Sequence, residues 1–149
     1  MKDLSIILKA VEQILNNATL GYYIERNPSG DIDDAELTAE NKGWIGVIKD
    51  ALNYTPLRMA SGTARFGIKG SVLVIVQVID MESQEKADEK LTAAEQEIIE
   101  VLADAANLKL PYNEVPTVGM IDGFSVEYET KSEDSAFYQA AIITLEFSE

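Results

Sequence analysis

The side chains able to do chemistry in this chain are carboxylates, lysines, tyrosines and hydroxyls, because it has neither cysteine nor histidine. The first absence removes disulfides, thiolate nucleophiles and cysteine zinc sites. The second removes the commonest general base and the commonest transition-metal ligand. Glu127 and Glu129 have the spacing that puts two carboxylates on one strand face, an arrangement open to acid–base work but more often a wet face. "DIDDAE" resembles part of a calcium loop. It lacks the alternating oxygen ligands, central glycine and closing glutamate such a loop needs, and reads as a solvated acidic loop. "GTARFGIKGS" has Gly62 and Gly67 at phosphate-loop spacing, but Ile68 stands where lysine must be. It also leads into a strand, where a phosphate loop opens a helix. "GFSVE" lacks the second glycine of a nucleophile elbow. No active site assembles from these pieces, so a non-enzymatic protein with no metal or cofactor is expected.

The elements that would position any of these groups are readable from periodicity. Leu4, Ile7, Leu8, Val11, Ile14 and Leu15 form the stripe of an amphipathic helix that Asn16 and Asn17 end. "GYYIERN" reads as a short strand, "PSGDIDDAELTAEN" as an exposed loop and "GWIGVIKD" as a second short strand. Residues 50–70 read as a less regular segment broken by Pro56 and Gly62, and basic through Arg58, Arg65 and Lys69, with a start of the following strand as early as Thr63 left open. "SVLVIVQVID" is apolar on two faces: Val72, Val74, Val76 and Val78 on one, Leu73, Ile75 and Ile79 on the other, with Gln77 the single polar break. A second helix is expected from Glu82 to about Asn107, with acids crowding its first turns where the dipole favours them. The chain closes in a hairpin. "FSVEYET" points Ser125, Glu127 and Glu129 outward, "KSEDS" turns, and "AFYQAAIITLEF" returns with apolar residues on two faces. Gly119 and Gly123 mark an expected bulge.

The order predicts one α+β domain over residues 1–149, a mostly antiparallel sheet with two helices packed on one face and a C-terminal β-hairpin. Two helices dry one face of such a sheet. The second apolar face then calls for a partner surface, and self-association into a closed ring is the economical answer. The longest apolar run falls short of the roughly 20 residues a membrane span needs. The formal charge of −14, from 26 acids against 12 bases, repels phosphate backbones and anionic membranes.

The succession "LSIILKAVEQILNN", "GYYIERN", "GWIGVIKD", "SVLVIVQVID", "MESQEKADEKL" and "GFSVEYETKSEDSAFYQAAIITLEFSE" resembles the tail terminator (tail completion) proteins of long-tailed bacteriophages. The resemblance spans nearly the whole chain and rests on arrangement, since the family has no catalytic motif to match. It implies a structural virion protein made in the host bacterial cytoplasm. In the virion it forms a homohexameric ring at the head–tail junction. Such a ring caps the tail tube, stops its polymerisation and joins the head, with DNA passing through the lumen. The implied partners are other copies of itself, the tail tube protein and a head-completion or connector protein. On this reading Arg58, Arg65, Phe66 and Lys69 contact the adjacent subunit or the tube, and Glu127, Glu129 and Glu133 face the lumen. The alternatives are another neck or tail ring, such as a head–tail adaptor or tube subunit, and an acidic DNA-mimic inhibitor. The mimic needs acids spaced like phosphates along one face, and here they are dispersed.

Overall fold

A computed structural model describes residues 4–26, 43–57, 65–104, 120–133 and 136–148. The chain runs α1 (Leu4–Asn17), β1 (Tyr23–Arg26), β2 (Trp44–Leu57), β3 (Arg65–Asp80), α2 (Gln84–Ala103), β4 (Met120–Glu133) and β5 (Ala136–Ser148). The strands form one sheet in the order β1-β2-β3-β5-β4. β1 lies parallel to β2, and every other pair is antiparallel. The α+β class, the helices on one face and the closing hairpin are as the sequence predicts.

Both helices cover the same face. α1 packs on β1 and β2, and α2 packs on β3 and β5. The six stripe residues of α1 are buried, as are Ala87, Leu91, Ala94, Ile98 and Leu102 of α2. They meet Ile45, Val47, Val72, Val74, Val76, Val78, Ala141, Ile143, Leu145 and Phe147 from the sheet. Tyr22, just before β1, donates its hydroxyl to Glu97 on α2 at 3.3 Å. Burial first, then the Glu97 charge, pushes its phenol up to about 12.

α2 begins at Gln84, two residues later than the acidic run suggests, because Asp80 occupies the entry. Its Oδ2 accepts from the N–H groups of Glu82 and Ser83, each at 2.9 Å. Ser83 then caps the helix by accepting from the Lys86 N–H at 3.1 Å. Lys90 binds the other Asp80 oxygen at 3.0 Å and the Ile79 carbonyl at 3.1 Å. The Ser83 N–H, followed by Lys90, holds the Asp80 carboxyl below the usual range. The helix also stops at Ala103, short of the expected Asn107.

The largest departure from the sequence reading lies between residues 50 and 70. The segment expected to be less regular is mostly strand, and only its later part, from Thr63, has a strand reading in the sequence. β2 continues to Leu57 and β3 starts at Arg65, paired from Leu57↔Arg65 through Asn53↔Lys69 to Trp44↔Gln77. β5 ends opposite Lys69. The rungs beyond it form a two-stranded arm with no further neighbour among the described residues.

Candidate functional site

The face of the sheet away from the helices is built from alternate residues of every strand. Trp44, Gly46 and Ile48 stand opposite Gln77, Ile75 and Leu73. Those in turn stand opposite Ala140, Ile142 and Thr144. Ser125, Glu127 and Glu129 complete the rows on β4. Ile48, Leu73, Ile75, Ile79 and Ile142 are half-buried, so this face carries an apolar strip that the helices do not dry. One row is closed: Trp44 and Gln77 are each 2% exposed. The Trp44 indole N–H donates to Glu25 at 3.4 Å. Its ring lies across Gly46, where an added Cβ would come within 2.5 Å of it. The Gln77 side-chain oxygen has no hydrogen-bond partner among the described residues, a cost of about 1–3 kcal/mol.

Two bulges fall on one line across the sheet. β2 shifts register between Lys49 and Ala51, and β4 between Ile121 and Gly123. Ala51 pairs with Ser71, Ser71 with Glu146 and Glu146 with Gly123. The extra residue is aspartate in each case, and each takes a serine hydroxyl from the neighbouring strand. Ser71 donates to Asp50 at 2.6 Å and Ser148 to Asp122 at 3.0 Å. Bulges bend a strand and sharpen its twist, so two at one level crease the sheet there. An open hollow of about 580 Å³ lies at this crease, lined by Asn53, Lys69, Ser71, Asp122, Glu146 and Ser148 among others. Among the described residues no group of three acidic side chains is placed to hold a metal ion, and no helix is long and apolar enough to cross a membrane.

The residues singled out from sequence separate into four groups. Glu127 and Glu129 are exposed on the open face, neighbouring rungs of the β4 edge, as their alternation predicts. Lys69 is exposed in the arm, with Arg65 and Phe66 further along the same strand opposite Leu57 and Pro56. Glu133 belongs to β4 opposite Ala136, so the strand runs into what the sequence suggests is turn. Arg58 lies outside the described residues, as do Gly119, the acidic loop from Pro28 and the turn residue Asp134. The expected bulge at Gly123 is present. Its partner at Asp50 was not foreseen, and neither was Trp44; "WIG", a large ring two residues before a glycine on the same strand face, was the available signal.

No protein family model and no curated protein sequence matches the chain. Among solved structures it is similar to a chain from the virion of a native gene transfer agent particle, with a TM-score of 0.52 and 10% sequence identity. The likeness covers 98% of this chain and 97% of the other. At that identity it shows a shared fold, from end to end in both chains.

Proposed function

We propose that this protein is a structural component of a phage-like virion, without catalytic activity, and that it forms the ring that terminates the tail tube. The observation that carries this reading is the end-to-end fold likeness to a virion chain, with almost nothing left over on either side. The half-dry second face of the sheet supports assembly into a ring, because an apolar strip of this kind is a surface for neighbours. The charge of −14 suits a lumen that lets DNA pass without adhering. Glu127, Glu129 and Glu133 are assigned to the channel side. Arg58, Arg65, Phe66 and Lys69 are assigned to contacts with the next subunit or the tube.

The likeness is to a chain of a virion and carries no position within it. A head–tail adaptor or a tube subunit is therefore the second reading. Deleting the gene from the phage-like genome that encodes it separates them by electron microscopy. A terminator's loss gives overlong tubes and filled heads left unjoined. Tails of normal length beside leaking heads would make it an adaptor, and absence of tubes would make it a tube subunit. Particles unchanged in form and yield would remove it from the structure altogether.

A further inference from the structure

The two edges of the sheet are unlike each other, and among the described residues each is left open. On one side β1 covers β2 only from Trp44 to Val47, so the outer edge of β2 from Ile48 to Leu57 has no partner strand among the described residues. On the other side β4 pairs, among the described residues, only with β5. The free β2 edge and the β4 segment Phe124–Glu133 are each ten residues long. An open strand edge is a template for another strand. Pro56 costs the β2 edge at most one N–H donor.

Resting on the ring reading, we infer that β4 of one copy adds to the free β2 edge of the next, joining the sheets of successive subunits head to tail. Strand direction permits it. β2, β3, β5 and β4 alternate in direction, so β4 of a neighbour in the same orientation meets β2 antiparallel. Exposed aromatics set the register. Tyr54 on β2 and Tyr128 on β4 are 43% and 60% exposed. Their rungs, Tyr54↔Ile68 and Tyr128↔Ala141, belong to the helix side of the sheet. Placing Tyr128 opposite the neighbour's Tyr54 puts Glu129 opposite Asn53, whose own partner is Lys69. Glu129 and Lys69 are then two strand spacings apart, roughly 10 Å between backbones, which their two side chains span. The described arm, 51–57 with 65–69, holds two bases and no acid. Phe124–Glu133 holds three acids and one base. The contact is heterologous, and rotation closes it into a ring.

The test uses the full-length chain at physiological salt, where the net charge is screened, and at concentrations up to millimolar. Isotopically heavy and light copies are mixed and treated with a zero-length carbodiimide. The expected result is a heavy–light link between Lys69 and Glu127 or Glu129. Two variants then probe the pairing: Glu127→Lys with Glu129→Lys, and Arg65→Glu with Lys69→Glu. Each alone should lose association while keeping the wild-type circular dichroism. Mixed together they should co-assemble alternately, because each restores the other's missing charge. A chain that stays monomeric at every concentration overturns both this contact and the ring. A ring whose links map elsewhere, or variants that do not complement, overturns the contact and leaves the ring standing.

Discussion

Trp44 is the only tryptophan in the chain and is 2% exposed, its ring lying across Gly46. A methyl group at residue 46 would stand 2.5 and 2.9 Å from two ring carbons, so the indole must lift to admit it. Gly46→Ala should therefore cost about 1–3 kcal/mol, the usual range for overpacking, and move the fluorescence emission to the red. A variant with unchanged emission would mean that the ring does not rest there. Asp80 offers a second residue-scale test, with a sign fixed by its lowered pKa. The stability it adds is present above the ordinary carboxylate pKa and lost as pH falls through the lower, folded-state value. Asp80→Asn should be less stable than wild type near neutral pH, measured as the urea midpoint. The gap should close as the pH is taken below the usual carboxylate range; a constant gap would assign the effect to shape alone.

Neighbouring residues of β5 show what the two faces of one element are worth. Ile143 is fully buried under the helices, while Ile142 is half-buried on the open face. Ile143→Ala should cost about 2–5 kcal/mol by urea denaturation. Ile142→Ala in the isolated chain should cost less than half as much, and equal costs would mean that the second face is as dry as the first. The elements legible in the sequence were those whose periodicity is local and uninterrupted: the α1 stripe, the two-faced β3 and the alternating hairpin. Of the arm, only the β3 half is legible, as an early start of that strand. Asn53, Pro56, Gly67 and Gly70 break the arm's alternation, and it is strand because its two halves pair with each other across the sheet edge. Glu127 and Glu129 were found because alternation alone decides which way they point. Lys69 is legible as a base, but its charge says nothing about the strand beneath it.

At the scale of the whole molecule, the open face and the charge of −14 act together. If successive sheets join at their edges, every helix layer falls on one side of the ring and every open face on the other, its acidic β4 rim toward the channel and its apolar strip of Ile48, Leu73, Ile75 and Ile142 toward a neighbouring virion protein. Ser125 and Glu146 are exposed on that open face. Ser125→Lys with Glu146→Lys should leave folding intact and, on the ring reading proposed above, turn the channel wall toward phosphate binding. DNA ejection from particles carrying the variant should slow, most at low salt, because each base added to the wall strengthens salt-dependent attachment. Normal ejection kinetics, with the variant confirmed in the particle, would take the open face out of the channel.

The crease gives the sheet an adjustable angle. Asp50 and Asp122 are each the extra residue of a bulge, so removing either restores plain alternation without moving any flanking side chain to the other face. Leu52 would still pack against the core, and Asn53 would still stand opposite Lys69. The bend would go, and with it the Ser71–Asp50 or the Ser148–Asp122 hydrogen bond. On the ring reading proposed above, bore and curvature are thereby separated from folding and from contact chemistry: a single-codon deletion at 50 or 122 should yield a stable subunit whose assemblies close at a different diameter. Through such a deletion, one scaffold could be refitted to tubes of different calibre while its core and its contact side chains stayed as they are.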